Sequence, residues 1–267
     1  MMMQYNEINE ILQKLYFVTG ADAFFDPPVM KVAAADDPFF QKFKTVIGPH
    51  HWTPDEVVPG AKSVINWVLP IRKDARETNA REKEFPSLLW ARVRSYGELA
   101  NEQMRHQLCR HLENRGYAAV APHLLQSKQG LDIAALGYSS HWSERHAAFV
   151  SGLGTFGLSA GLISEHGVAV RYGSVVTALE LPPDERPYGD DPFAWCSRCG
   201  ACIRRCPVNA IGKEIADRDK PACAQYAYHK INADRLARYG WDGLALGCGL
   251  CQTAVPCEHR VPAKRAG

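Results

Sequence analysis

The chain has 267 residues, 46% of them hydrophobic, and a formal net charge of +2. That length supports a sizeable core and predicts one large domain with a smaller one beside it. The near-neutral balance argues against a nucleic-acid-binding surface and against a polybasic membrane tail.

In chain order, MMMQYNEINEILQKLYF lacks the basic n-region and long apolar h-region of a secretory signal. The first arginine is Arg72, which excludes a twin-arginine signal. Residues 5–17 predict a short amphipathic helix, and residues 21–60 show no clear period. Within HWTPDEVVPG a helix start stands out, with Thr53 as N-cap, Pro54 at the first position, and Asp55 and Glu56 in the first turn. SVINWVLPI (63–71) reads as a buried strand. Residues 90–115 predict the strongest helix: Tyr96, Ala100, Met104, Leu108 and Leu112 recur every four residues, and Gly116 is placed to cap the end.

YAAVAP (117–122) predicts a second strand. SSHWSERHAAFV (139–150) predicts a helix capped by Ser139 or Ser140. VAVRYGSVVTALEL (168–181) predicts β-structure broken at Gly173. LPPDERPYGDDP (181–192), dense in proline and charge, reads as a linker. It places a boundary between residues 1–184 and residues 185–267. The longest uncharged run, HAAFVSGLGTFGLSAGLIS, carries four glycines and reads poorly as a membrane helix. A cytoplasmic protein without a membrane partner is the expectation, and clustered cysteines there predict metal ligands rather than disulfides.

Eight of the nine cysteines follow that boundary. Cys196, Cys199, Cys202 and Cys206 have the spacing C-x2-C-x2-C-x3-C-P, the bacterial ferredoxin run whose fourth cysteine serves the other cluster of a pair. Two-residue gaps let one loop wrap three thiolates around a cubane, and Pro207 helps aim Cys206 away. Cys223, Cys248, Cys251 and Cys257 complete the eight ligands that two [4Fe–4S] clusters need. The expected division is Cys196, Cys199, Cys202 and Cys257 against Cys206, Cys223, Cys248 and Cys251. A zinc ribbon is the alternative, but it leaves four cysteines idle and does not account for the C-P. Cys109, inside the strong helix, reads as a small core residue.

A bare ferredoxin needs only the last part of this chain, so the clusters are expected to feed a site in the first part. SERHAAFVSGLGTFGLSAGLI contains GLGTFG (152–157), formally G-x-G-x-x-G. It fails as a dinucleotide fingerprint, because a helix precedes it and no acidic residue follows at the required distance. Glycines at 152, 154, 157 and 161 suit either the close approach of a flat ligand or a tight turn packing helix on sheet.

VVPGAKSVINWVLPI (57–71), SGLGTFGLSAGLIS (151–164), RYGSVVTALEL (171–181) and the two-part cysteine pattern occur together, in this order. In this combination the chain resembles the cobalamin-dependent iron–sulfur reductases, the superfamily of epoxyqueuosine reductases and reductive dehalogenases. The resemblance implies an α+β protein, with a nitroreductase-like α/β domain followed by a bacterial-ferredoxin-like two-cluster domain. It implies cobalamin between them, lined by Ser151, Gly152, Leu153, Gly154, Thr155, Phe156 and Gly157 and approached by Arg171, Tyr172, Gly173 and Ser174. The cluster nearer to it is the one on Cys206, Cys223, Cys248 and Cys251. The cofactor carries the hard chemistry and the protein supplies position, dryness and a proton.

For the proton donor, Tyr138 falls about where epoxyqueuosine reductases carry a carboxylate, and reductive dehalogenases use a tyrosine. Glu144, Arg145 and His146 in WSERH are the other candidates, of which Glu144 and His146 are carried forward. Ten residues follow Cys257, where epoxyqueuosine reductases continue into a helical-repeat region. With the near-neutral charge, this sets nucleic acid aside and favours a small organic substrate, reduced by electrons from a donor such as ferredoxin or flavodoxin. The competing readings are an electron-transfer or corrinoid-handling protein without its own substrate, and a relative that has lost cobalamin.

Overall fold

SVINWVLP becomes the centre of the molecule because it has no polar face to show to water. The computed structural model describes residues 4–128, 132, 134–233, 235–240 and 247–263. Among these the strands are β1 (Val29–Ala34), β2 (Ser63–Pro70), β3 (Ala119–Val120), β4 (Thr155–Phe156), β5 (Leu162–Ile163) and β6 (Val170–Thr177). Every residue of β2 is buried. β1, β2, β6 and β3 form one antiparallel sheet in that order, and β4 pairs with β5 as a separate ribbon.

Up to residue 150 the helices are α1 (Tyr5–Val18), α2 (Pro38–Val46), α3 (Pro54–Val57), α4 (Lys73–Arg81), α5 (Leu88–Arg92), α6 (Glu98–Glu113), α7 (Pro122–Lys128) and α8 (Glu144–Val150). The sheet is covered on both faces, so alternate residues of β2 enter two different cores. Ile65, Trp67 and Leu69 pack with Leu12 of α1 and with Met104 and Leu108 of α6. Val64 and Val68 pack with Phe40 and Phe43 of α2 and with Phe149 of α8. The result is a mixed α+β sandwich.

Several expectations hold locally. Thr53 and Glu56 form a reciprocal capping box at α3, with Pro54 in its first turn. Gly116 takes a left-handed φ of 84° after α6. Others need correction. The helix expected over 90–115 is interrupted by a π turn at Val93–Gly97. The extra residue rotates the face, so Tyr96 leaves the stripe and is 40% exposed while Ala100 to Leu112 stay buried. β6 runs unbroken through Gly173, which pairs with Trp67. A Cβ there would lie 2.3 Å from the indole, so the glycine makes room rather than a break. The strand expected over 117–122 shrinks to two residues. α8 starts at Glu144 with Ser143 as N-cap, not Ser139 or Ser140, and Ser143 directs its hydroxyl to His146 Nδ1 at 2.7 Å instead of the backbone.

LPPDERPYGDDP is extended and pinned. Asp184 accepts from the Val32 amide at 2.8 Å and from the Tyr5 hydroxyl at 3.0 Å. Arg186 pairs with Asp37 at 2.7 Å. Tyr188 donates to the Phe149 carbonyl at 2.7 Å and accepts from the Gly154 amide at 3.2 Å. Beyond it lie α9 (Ala201–Arg205) and α10 (Lys220–Ala224). The last described segment folds back onto the first part: the Val168 and Ala169 amides donate to the Cys257 and Glu258 carbonyls at 2.8 and 3.0 Å. Among the described residues no helix is long and apolar enough to cross a membrane.

Candidate metal centre

The cysteine run wraps because its connecting residues accept left-handed backbone. Arg198, Gly200 and Asn209 have φ of 49°, 69° and 53°, and Gly249 and Ala254 repeat this at 63° and 55° in the late segment. Gly249 has a second reason to lack a side chain, since its Cβ would meet the Trp90 indole at 2.1 Å. These turns gather the eight thiols into two sets. Cys196, Cys199, Cys202 and Cys257 border one cavity. Cys206, Cys223, Cys248 and Cys251 border another, of about 180 Å³. All are unpaired, as is the buried Cys109.

The spacing of the sulfurs discriminates between metals. Four thiolates on one zinc, at Zn–S of about 2.3 Å, lie roughly 3.8 Å apart. Among the described residues no three cysteine sulfurs lie within 4.8 Å of one another. A cubane, whose ligands sit on separate corners, accommodates the wider arrangement. The thiols also crowd one another. Burial pushes Cys248 up to about 11, against the pull of a backbone hydrogen bond at Leu250, and burial pushes Cys251 and Cys257 up to about 12. Thiols so placed stay protonated until a cation compensates them, and metal uptake then releases protons. The donor set therefore fits iron–sulfur ligation.

A charged network runs from α8 to the second cavity. Arg105, 1% exposed, lies 3.0 Å from Glu98 and 3.2 Å from Glu144. Glu98 in turn lies 3.9 Å from Nε of Arg171, which borders the cavity. Burial pushes the Glu144 carboxyl up to about 7, although Arg105 and the Ser174 hydroxyl pull it down. Glu98 is held below the usual carboxylate range because Arg105 and Arg171 outweigh its burial. Burial and the neighbouring Arg94 bring Arg171 down to about 10, and its Nε has no hydrogen-bond partner among the described groups.

Residues 193–212 match the 4Fe-4S binding domain family. The chain is 30% identical over 127 residues to an epoxyqueuosine reductase of Synechococcus sp. (strain CC9605), covering 45% of this chain and 35% of that one. It is 24% identical over 229 residues to an epoxyqueuosine reductase of Francisella cf. novicida (strain Fx1), covering 80% and 58%. In structure it resembles an epoxyqueuosine reductase solved with a tRNA-Tyr stem loop (TM-score 0.52, 18% identity, 94% of this chain and 66% of that one). It also resembles a catabolic reductive dehalogenase (TM-score 0.57, 16% identity, 94% and 32%).

In sequence the chain is similar to epoxyqueuosine reductases over part of their length, and in fold it is similar to epoxyqueuosine reductases and to a reductive dehalogenase. It spans 35% and 58% of the two curated relatives.

Within this fold the expected site residues part company. Glu144, Arg171, Tyr172 and Ser174 come together around Arg105, whose Nη2 donates to the Tyr172 carbonyl at 2.7 Å. Ser174 also accepts from the Trp142 indole at 2.9 Å, and the Tyr172 hydroxyl donates to the Leu162 carbonyl at 2.9 Å. Gly173 lies under Trp67. His146 packs between Phe43 and Phe156, at 4.9 and 4.7 Å, and burial keeps it neutral. Tyr138 sits half-buried on a left-handed turn, φ 57°, and borders neither thiol cavity.

Ser151 to Gly157 are all buried. A Cβ on Gly152 would meet the Glu185 carbonyl at 2.4 Å and one on Gly154 the Ile163 carbonyl at 2.3 Å. Those two glycines admit the protein's own backbone, which is the tight-turn reading of the element. Thr155 accepts from the Trp195 amide at 3.0 Å. Ser151 donates to the Ala148 carbonyl at 3.0 Å. Leu153 and Phe156 belong to the α2–α8 core. Gly157 borders the first thiol cavity.

Arg94, Glu98, Arg105 and Arg218 are functional candidates that sequence reasoning missed. Glu98, Asn101 and Arg105 follow helical spacing beside the apolar stripe of α6, a signal that was there to read. Arg218 had none.

Proposed function

We propose that the chain is an iron–sulfur reductase holding two [4Fe–4S] clusters. In this reading Cys196, Cys199, Cys202 and Cys257 ligate the first, and Cys206, Cys223, Cys248 and Cys251 the second. The single observation that carries it is the gathering of eight thiols into two sets of four, at spacings too wide for zinc. A low-potential donor such as ferredoxin or flavodoxin supplies the first set. Cys206, Cys223, Cys248 and Cys251 would hold the second cluster beside Arg171, which borders the same cavity and would face the electron acceptor. The division into residues 1–184, with a nitroreductase-like fold, and residues 185–267, ferredoxin-like, belongs to the same proposal.

Cobalamin is the acceptor that the superfamily relationship favours, and when bound it supplies low-valent cobalt chemistry. The fit rests on the arginine wall. Arg94 and Arg171 border the second cavity, so their guanidinium groups would hold acceptors at a corrinoid edge. The cavity of about 180 Å³ is below the roughly 300–1,000 Å³ of a cofactor site, so residues at its rim, Arg94 and Arg171, would do the holding. Glu144 is the group in this network able to hold and release a proton near neutral pH. Tyr138 is the second candidate, and turnover unaffected by Tyr138→Phe removes it.

The substrate is a small organic molecule in the first reading. A neighbour solved with a tRNA stem loop weighs against setting nucleic acid aside, so a substrate group carried on RNA is the second reading.

Anaerobic reconstitution tests the proposal. It expects about eight irons per chain and the broad brown absorbance of cubanes. Zinc in place of iron, or a chain without that absorbance, ends it. Cobalamin bands that stay unchanged on addition of the loaded protein remove the corrinoid, and turnover of free against RNA-borne substrates with a low-potential donor separates the two readings.

A further inference from the structure

The two thiol sets sit in opposite electrostatic surroundings. The cavity at Cys196, Cys199, Cys202 and Cys257 is walled by apolar groups such as Leu158, Ile163 and Val255, with no charged side chain on its border. The cavity at Cys206, Cys223, Cys248 and Cys251 carries Arg94, Arg171 and Arg218 and no carboxylate. Arg218 also reaches a sulfur: its Nη2 donates to Cys223 Sγ at 3.1 Å. Its Nη1 is anchored on the Ser159 carbonyl, which fixes the guanidinium between the two parts of the chain. The Ala210 amide adds a bond to Cys206 Sγ at 3.2 Å. Among the described residues no arginine or lysine is hydrogen-bonded to a sulfur of the first set.

Reduction adds one electron to a cubane already held by four thiolates, so its negative charge grows by one. A fixed guanidinium stabilises the reduced form more than the oxidised one, and donation to sulfur withdraws charge from the ligand. The geometry points to unequal clusters: the one on Cys206, Cys223, Cys248 and Cys251 is the easier to reduce, and Arg218 is a positioning residue that makes it so. The inference rests on the two-cluster reading. In the transfer, one electron leaves the first cluster, which is oxidised, and enters the second, which is reduced. No bond forms or breaks and no proton moves. The external donor then re-reduces the first cluster, so the direction of flow, toward Arg171, is built into the walls.

Reductive titration of the fully loaded protein, followed by electron paramagnetic resonance, tests this. The expectation is two one-electron waves at separate potentials. Arg218→Gln shifts the higher wave negative by at least a tenfold change in its reduction equilibrium, about 59 mV for one electron, and leaves the lower wave in place. Arg115→Gln is the control. Arg115 is half exposed, borders neither thiol cavity and pairs with Glu7 at 2.6 Å, and its loss moves neither wave.

A higher wave unmoved in Arg218→Gln with iron content intact overturns the inference, and so does a shift confined to the lower wave. If Arg218→Gln loses iron, Arg171→Gln carries the test: it must shift the same wave negative, and no shift overturns the arginine wall as the cause. Four irons and one wave in the unmutated protein fail the two-cluster reading itself, a result distinct from two waves that ignore Arg218.

Discussion

Glu144 shows how a residue acquires chemistry from its surroundings. In sequence it is one charge in SERH. In the structure its side chain is 13% exposed with both carboxyl oxygens buried, and its formal partner, Arg105, is shared with Glu98. Desolvation raises Glu144 to about 7, since Arg105 only partly offsets its burial and the Glu98 charge adds to the rise. The folded state therefore binds a proton that the unfolded chain, near the usual carboxylate value, has already lost. Stability from this group is full at low pH and falls as pH rises from about 4.5 to about 7. Glu144→Gln is expected to flatten that part of the stability–pH curve, measured by urea unfolding from pH 4.5 to 7.5. A curve with unchanged slope removes the raised carboxyl.

At the scale of elements, the strap after β6 matters more than its composition suggests. Proline and charge predicted a linker, and the backbone is irregular as expected. Its side chains nevertheless clamp α8 and the glycine element. Tyr188 bonds to both Phe149 and Gly154 and stacks on Phe149 with ring centroids 5.4 Å apart. Tyr188→Phe keeps the stacking and removes the hydroxyl, leaving the Gly154 amide without its partner while the Phe149 carbonyl keeps the Gly152 amide at 3.1 Å. A loss of about 1–3 kcal/mol is expected in denaturant unfolding. A variant with the native midpoint means that water replaces the hydroxyl and the strap is not held there. The π turn before α6 is the other decision made at this scale. It changes the helix face between Trp90, which lies under Gly249, and Met104, which lies under the sheet.

For the whole molecule, the thiol-bearing segments and the sandwich are stapled together. Arg205 is the main staple. Its Nε donates to the Leu250 and Thr253 carbonyls at 3.2 and 3.1 Å, and its Nη atoms donate to the Glu82 and Asn79 carbonyls at 2.7 and 3.2 Å. Arg76 and Glu258 add an ion pair at 2.9 Å with each side chain 14% exposed. Charge-assisted bonds to half-buried carbonyls contribute more than exposed pairs. Arg205→Ala is expected to cost at least about 3 kcal/mol and to lower the unfolding temperature. It is also expected to speed iron loss to a chelator, because it frees the Cys248–Cys251 segment from α4. Equal chelation rates in variant and parent protein contradict the staple.

The cysteine run, its proline and the count of eight thiols are local facts of the chain. From them the 4Fe-4S motif of residues 193–212 was legible without coordinates, because its ligand spacing is local. The capping box at Thr53 and the buried strand at 63–70 were legible for the same reason, since a cap and an all-apolar run act over a few residues. What only the tertiary structure decided lies between segments distant in sequence. It turned the glycine run into a packing turn, and moved Tyr96 off its stripe by a single π turn. It assembled Arg94, Arg171 and Arg218 around one thiol set while leaving the other walled by apolar groups. Electrostatic surroundings depend on which distant side chains fold into contact, and no local pattern records that.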